Sequence, residues 1–296
     1  MAITIKQLHP LFCAEIGGVD TGQPMDDPTV AEIRAAFEAH SVLVFHDLTL
    51  DDEKQIAFSR CFGPLETSGK ANPASGTHFA RQSNIDIRTG AVIPTDDRRM
   101  VYQKGNYLWH SDSSFKAVPS LCSLLSARVV PPEGGNTEFA SMRAAYDALS
   151  DEMKRKLENL VAEHSLVYSR QTVSDGALTP EMKAELPGAW QAMVRVNPVN
   201  GRKAVYAGAH ASHVIGWPRE EGRDFIRRLN DFVTQPQFCY SHAWRNGDLV
   251  IWDNRATLHR ATAYDTVRHR RLMQRTTVGG DRPTVAQPER YELAAE

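Results

Sequence analysis

Cysteine is scarce in this chain and never paired by spacing. The four cysteines, Cys13, Cys61, Cys122 and Cys239, form no C-x-x-C, which argues against a zinc ribbon or a dithiol redox motif and leaves buried, reduced thiols as the expectation. No run comes near the ~20 apolar residues that a membrane helix needs, and the first residues show no signal-like cleavage site. A cytoplasmic protein is therefore expected. Charge of one sign is also missing: 34 Lys and Arg against 36 Asp and Glu leave a formal net charge of −2. Without a basic field there is no general attraction for nucleic acid or an anionic membrane, so neither is expected as a partner, and a small molecule is. Repeats and low-complexity tracts are absent too.

What is present is an ordinary globular composition, 42% hydrophobic and 24% charged, over 296 residues, enough to bury a sizeable core. Residues 3–19 alternate loosely and end at Gly17-Gly18, a strand entering a turn. Asp27-Pro28 opens an amphipathic helix through Val30, Ile33, Ala36 and Phe37, since proline is at home in a first helical turn. Ser41 to Phe45 is a compact apolar strand, expected to be central. Thr49 and Asp52 have capping-box spacing at the start of a second helix, which ends at Gly63-Pro64.

Residues 66–105 have little periodicity and many Gly, Asn, Ser, Thr and Asp. A loop of that length inside a compact domain is a functional lid or a disordered segment, and its position directly ahead of His110 favours a lid. Strands are expected over 121–127 and from 136. Helices are expected over 142–149 and, capped by Ser150, over 151–160. Residues 170–190 read as a second irregular insertion with a helical piece near 180–186. A hairpin around Asn200-Gly201 follows. Next come an amphipathic helix over 218–233, with Phe225, Ile226, Leu229 and Phe232 on one side, and strands at 238–244, 249–252 and 271–278. A polar tail runs over 281–296. Many short strands with helices fed between them imply one α+β domain, 1–296, built round a β-sandwich. The mouth of a jelly-roll barrel could gather its polar side chains.

Against this background Trp109-His110-Ser111-Asp112-Ser113 stands out. A His and an Asp two residues apart in an extended segment point to the same side. Far downstream, His259 follows the apolar strand that ends at Trp252-Asp253-Asn254-Arg255. Two imidazoles and one carboxylate are the ligand set of a non-haem Fe(II) centre with open coordination positions. A surface turn would also produce H-x-D. The apolar Trp109 and Phe115 beside it favour burial, and a buried Asp is costly unless paired or metal-bound. His259 fits a packed, backbone-bonded histidine as well as it fits a ligand. A cationic cluster, Arg268, His269, Arg270, Arg271 and Arg275, comes close behind. Arg271 and Arg275, four apart in an expected strand, share a face. A solvated edge strand would explain them, but Leu272-Met273 between them argues for partial burial, where guanidinium groups need carboxylate partners.

Several segments taken together are far more specific. They are Leu108-Trp109-His110-Ser111-Asp112-Ser113-Ser114-Phe115, Gly134-Gly135-Asn136-Thr137-Glu138-Phe139, Met142-Arg143-Ala144-Ala145-Tyr146-Asp147-Ala148-Leu149, Gly247-Asp248-Leu249-Val250-Ile251-Trp252-Asp253-Asn254-Arg255 and Arg270-Arg271-Leu272-Met273-Gln274-Arg275-Thr276-Thr277. With them the chain resembles the taurine/2,4-dichlorophenoxyacetate family of Fe(II)- and 2-oxoglutarate-dependent dioxygenases, from about Leu8 to Gly279. Phe62-Gly63-Pro64-Leu65-Glu66 and Gly208-Ala209-His210-Ala211-Ser212-His213 look closest to the 2,4-dichlorophenoxyacetate branch.

The resemblance implies a double-stranded β-helix (jelly roll) core with flanking helices and a long lid loop. It implies His110, Asp112 and His259 as the catalytic metal ligands for Fe(II). Thr137 and Arg271 would bind the distal carboxylate of 2-oxoglutarate. The spacing from His259 is one residue longer than in the taurine enzymes, so Arg270 competes with Arg271 for that role. Trp252 would pack against the cosubstrate and Arg275 would bind the substrate's carboxylate, with Asn106 nearby. His210 and His213, as bonding partners of an aryloxy acid or as structural loop histidines, Tyr107 and Tyr168 as stacking or core aromatics, and Lys104 and Lys70 as lid lysines or plain solvated ones, complete the candidates. O2 is the oxidant, ascorbate is expected to stimulate, and a homo-oligomer is expected. The implied reaction cleaves the ether of an anionic aromatic substrate; a sulfonate, a sulfate ester or another aromatic carboxylate, or a non-catalytic jelly-roll binder, stand as alternatives.

Overall fold

The strand Leu249–Asp253 is buried along its whole length, and its side chains divide by parity between two cores. Leu249 and Ile251 join one, Val250 and Trp252 the other. Period-two alternation with both faces covered is what a central strand requires. It lies in the middle of a seven-stranded sheet in the computed structural model of the chain, which describes residues 3–20, 25–48, 50–69, 74–174 and 178–288.

Among the described residues the strands are, in chain order, β1 (Thr4–Gln7), β2 (Ala14–Gly17), β3 (Val42–Phe45), β4 (Phe79–Ser83), β5 (Cys122–Val129), β6 (Thr137–Ser141), β7 (Val161–His164) and β8 (Ala189–Ala192). They continue as β9 (Val194–Val196), β10 (Lys203–Val205), β11 (Ala211–Val214), β12 (Cys239–His242), β13 (Leu249–Asp253), β14 (Thr257–Ala261) and β15 (Leu272–Val278). The helices are α1 (Asp27–His40), α2 (Asp52–Arg60), α3 (Arg98–Gln103), α4 (Met142–Ala148), α5 (Asp151–Leu157), α6 (Leu166–Gln171), α7 (Pro180–Ala184) and α8 (Arg219–Val233). The architecture is thus a mixture of helices and sheets.

The large sheet runs β1-β2-β3-β13-β5-β15-β4, antiparallel except where β2 meets β3. Helices α1 and α2 cover one face with Ile33, Phe37 and Phe58, joined by Phe62 from the turn after α2. The other face looks onto a three-stranded sheet, β12-β6-β14, whose Phe139 ring meets that of Trp252 at 5.6 Å. A third sheet, β11-β7-β8, the hairpin β9–β10 and helices α4 and α8 enclose a separate core around Tyr206, Met193 and Leu258. No helix of the described residues is long and apolar enough to cross a membrane.

Local chemistry accounts for the helix starts. The Asp26 carboxylate accepts from Thr29 N–H ahead of Pro28, and Ser150 Oγ accepts from Met153 N–H at the head of α5, which ends at Leu157, three residues earlier than expected. The cap of α2 is Asp51, whose carboxylate accepts from Lys54 N–H; the expected cap Thr49 lies outside the described residues, as do Lys70 and positions 289–296 of the expected tail. The earlier part of that tail is not peripheral. Thr284 Oγ1 and the Gln287 side chain bond the backbone of β8 at Ala192 and Trp190.

Three expectations are corrected. Residues 66–105 are not one unpatterned loop: they include β4, which pairs with β15 at the sheet edge, a bridge between Ile85 and Val92, and α3, which leads into a 3-10 turn over Lys104–Tyr107. His259 does not merely follow a strand but sits inside one, β14, paired with β6. His110 and Asp112 do not alternate along a strand: His110 makes an isolated bridge to His259, and the chain then turns at Asp112, with Ser113 at φ 52°.

Candidate metal centre and its two cavities

The bridge positions the two imidazoles. His110 N–H donates to the carbonyl of His259 at 3.0 Å and His259 N–H donates back at 2.8 Å, a hydrogen-bonded antiparallel pair that sets the rings side by side with centroids 4.2 Å apart. The left-handed turn at Ser113 swings Asp112 beneath them. His110 Nε2 lies 3.9 Å from Asp112 Oδ1, and His259 Nε2 lies 3.6 Å from Oδ2. One ligand atom from each of the three, all buried, falls within 4.8 Å of the others.

Donor chemistry fits a divalent cation. His110 Nδ1 meets the carbonyl of Leu108 at 2.7 Å; a carbonyl can only accept, so Nδ1 carries the proton and Nε2 presents its lone pair. Burial drives His110 down to about 4 and His259 well below the ordinary imidazole value. Burial would push Asp112 up, but the Arg275 guanidinium and the Ser123 hydroxyl bond oppose it, and the carboxyl is held below the usual range. Neutral imidazoles and an ionised carboxylate are the metal-binding forms.

A buried network fixes the carboxylate. Ser123 Oγ donates to Asp112 Oδ2 at 2.6 Å, and Arg275 Nη1 donates to Oδ1 at 2.5 Å. Asn254 ties the turn to β13: its Oδ1 accepts from Asp112 N–H and Trp252 Nε1–H, and its Nδ2 donates to Ser120 and Ser123. Its own carbonyl accepts from Ser111 Oγ. Ser123 and Ser120 escape the sequence reading because a serine in an apolar strand looks like any other polar alternation. The only signal is spacing: Ser123 stands directly opposite Trp252 in the β5–β13 register.

The centre is shared by two cavities. The first, about 110 Å³, is lined by Thr137, Arg271, Trp252, His110, His259 and Arg275 among others. Arg271 is 7% exposed; its Nη2 donates to the carbonyl of Gly135 and its Nε has no partner. Burial lowers its pKa, with Tyr264 and Tyr107 pulling the other way. Gly134 and Gly135 have φ of 72° and 66°, and a Cβ on Gly134 would stand 2.6 Å from the Ala263 carbonyl, so the turn into β6 requires glycine. Trp244 Nε1–H donates to Thr137 Oγ1 at 3.0 Å, which leaves the hydroxyl proton free to point elsewhere. Arg270 is exposed and lines neither cavity, so of the two competing arginines the fold brings Arg271 to the site.

The second cavity, about 260 Å³, opens on the other side of the triad, with Asp112, Arg275, Phe115, His210 and Arg170 in its wall; Asn106 lines both. Asn106 Nδ2 donates to Gln82 Oε1. His210 is buried, its ring 5.6 Å from that of His110 and its Nδ1 bonded to Ser169 Oγ. Tyr107 and Lys104, expected on the substrate side, line the first cavity instead. His213 lines neither; it stands in β11 with its Nδ1 bonded to Ser212 Oγ, whereas His210 lies in the turn before that strand. Tyr168 also lines neither, its ring lying under the Arg223 guanidinium. Arg170 belongs to α6, inside a stretch the sequence reading leaves irregular.

A buried set of two imidazoles and one carboxylate, open to cavities that hold arginine, defines the class as a non-haem metal oxygenase. Residues 4–277 match the family described as taurine catabolism dioxygenase TauD, TfdA family. The chain is 41% identical, over 94% of its length and 98% of the relative's, to the alpha-ketoglutarate-dependent 2,4-dichlorophenoxyacetate dioxygenase of Cupriavidus pinatubonensis. It is 37% identical, over 95% and 96% of the two lengths, to the (S)-phenoxypropionate/alpha-ketoglutarate-dioxygenase of Sphingobium herbicidovorans. The crystal structure of AAD-2 in complex with Mn(II) and N-oxalylglycine is similar over 97% of this chain and 100% of that one, with a TM-score of 0.90 at 44% identity. The chain belongs to the TauD/TfdA dioxygenase family.

Proposed function

We propose that the protein is an Fe(II)- and 2-oxoglutarate-dependent dioxygenase that hydroxylates the carbon next to the ether oxygen of an aryloxyalkanoic acid. The observation that carries this reading is the position of the triad between two cavities, one for each organic partner: His110 and His259 line the first, and His110 and Asp112 line the second. The relatives named for 2,4-dichlorophenoxyacetate and (S)-phenoxypropionate supply the substrate class. In this reading the two facing sheets are the double-stranded β-helix (jelly roll) of the family, and the segment from β4 to Tyr107 covers the cavities as a lid.

His110, Asp112 and His259 hold the iron. Bound Fe(II), with 2-oxoglutarate and O2, supplies the oxidising equivalent that inserts oxygen into a C–H bond. Thr137 and Arg271 bind the distal carboxylate of 2-oxoglutarate in the first cavity. The buried guanidinium matches it as a bidentate partner, and the Thr137 hydroxyl, already an acceptor from Trp244, donates to it. Trp252 supports the cosubstrate with the face of its indole. Arg275 steadies Asp112 and meets the substrate's carboxylate, and Asn106 lies between both organic partners. The apolar wall of the second cavity takes the aryl ring and excludes water, so the protein contributes positioning while iron and cosubstrate carry the oxidation. Hydroxylation beside the ether oxygen gives a hemiacetal that falls apart to a phenol and a 2-keto acid. For 2,4-dichlorophenoxyacetate the balance is substrate, 2-oxoglutarate and O2 in, and 2,4-dichlorophenol, glyoxylate, succinate and CO2 out.

The test is a panel of aryloxyacetates, both enantiomers of 2-aryloxypropionates, taurine and alkyl sulfates, incubated with Fe(II), ascorbate and 2-oxoglutarate. Phenol released in step with succinate is expected from the aryloxy acids. Turnover of the sulfur acids alone would move the substrate class to sulfonates or sulfate esters.

A further inference from the structure

Arg170 has no part in the reaction as described so far. It lies in α6, only 5% exposed, in the wall of the second cavity. Yet its Nε and Nη1 have no hydrogen-bond partner, and Nη2 reaches only Asn106 Oδ1 at 3.4 Å. No ion pair joins it to a carboxylate among the described residues. A guanidinium this deep is costly unless an anion meets it.

The surroundings are shaped for the group. The Tyr102 ring centroid lies 4.7 Å from its central carbon. Gly105 leaves it room, since a Cβ there would stand 1.8 Å from Nη1 and 2.3 Å from Cζ. The planar fork is thereby held in one orientation while two of its nitrogens stay unused. It lines the same cavity as His110, Asp112 and His210. The other arginine here, Arg275, already gives Nη1 to Asp112. Phe115, Leu166, Met182 and Leu186 line the same cavity and offer apolar surface to a ring.

We infer that Arg170 is the main receptor for the substrate's carboxylate in this cavity, an assignment that rests on the aryloxyalkanoate reading above. Arg275, tied to Asp112, then plays the lesser part in holding that anion. The planar fork receives the carboxylate bidentately, and Tyr102, Gly105 and Asn106 act as positioning residues for the guanidinium.

The experiment measures binding without turnover: calorimetric titration, in the absence of O2, of the protein loaded with Fe(II) and 2-oxoglutarate. The probes are 2,4-dichlorophenoxyacetate, its methyl ester, hexyl sulfate and taurine. Arg170→Gln is expected to weaken the acid at least thirtyfold and the neutral ester less than threefold, a ratio that misfolding would not produce. Arg170→Lys should recover part of the loss. Gly105→Ala, which keeps the charge but displaces the fork, should weaken the acid at least tenfold. Acid binding by Arg170→Gln within threefold of wild type overturns the assignment and leaves the substrate reading standing. A different outcome is wild-type protein that ignores the aryloxy acid and binds hexyl sulfate or taurine, with Arg170→Gln thirtyfold weaker. The substrate reading then fails and the anion receptor stands. Wild-type protein that binds none of these anions overturns both.

Discussion

Asp112 has more partners than a ligand needs. Two imidazoles face it, Ser123 and Arg275 bond its two oxygens, and Asn254 accepts from its backbone N–H. Replacing it with alanine, or His110 with alanine, should abolish turnover and weaken Fe(II) binding in a direct titration; succinate production at the wild-type rate would refute the triad. Ser123→Ala removes the 2.6 Å bond to Oδ2 together with the hydroxyl that accepts from Asn254 Nδ2. Loss of such an outer partner typically costs about 10–100-fold in metal affinity, and that range is expected here, with unaltered Fe(II) affinity as the contrary result. At this scale His110 and Asp112 are legible because they are neighbours in sequence and flanked by apolar bulk. Ser123, Asn254 and Arg170 are not, since their roles exist only where β5, β13 and α6 converge.

Among the elements, β6 does the most. It carries Thr137 at the mouth of the first cavity, pairs with β14 to place His259, and pairs with β12 near Trp244. Trp244→Phe keeps the ring and removes the N–H that orients the Thr137 hydroxyl. One hydrogen bond of ordinary strength is worth ~0.5–1.5 kcal/mol, or roughly 2–13-fold in affinity. The KM for 2-oxoglutarate should therefore rise within that range while the substrate KM moves less; the reverse pattern would sink the role. Helix α1 and strands β3, β5 and β13 are readable because their apolar residues repeat at one period over enough positions. Strand β4 is not: Phe79, Ala80, Arg81, Gln82 and Ser83 have little strand character, and pairing with β15 makes them one. Strand β14 hides for a similar reason, because three polar residues break its apolar pattern: Thr257 bonds the Asp253 carbonyl, His259 faces the site and Arg260 pairs with Glu138.

For the molecule as a whole, the core behind the site carries a pH liability. His164 is fully buried, stacked on Tyr206 at 5.3 Å, and desolvation, with Arg195 adding to it, pushes its pKa down to about 3. A folded-state value below the unfolded 6.5 means that the unfolded chain binds the extra proton. The stabilisation is complete above pH 6.5 and is lost as pH falls toward 3, by on the order of 3 kcal/mol at pH 4. The Tm of the metal-free protein should fall between pH 6.5 and 4, and His164→Gln should flatten that slope; equal slopes would contradict it. The arrangement of a large sheet over a smaller one follows from strand-rich patterning, whereas the division of the site into two cavities does not, because it is made by contacts between distant segments.

The central claim is coupled oxidation at this triad. The measurement that tests it most directly follows 2,4-dichlorophenol and succinate together, from 2,4-dichlorophenoxyacetate with Fe(II), 2-oxoglutarate and O2, in the wild type and in Asp112→Ala. The account predicts equal amounts of the two products from the wild type and neither from the variant. Phenol formed without 2-oxoglutarate, or formed by Asp112→Ala, would contradict it.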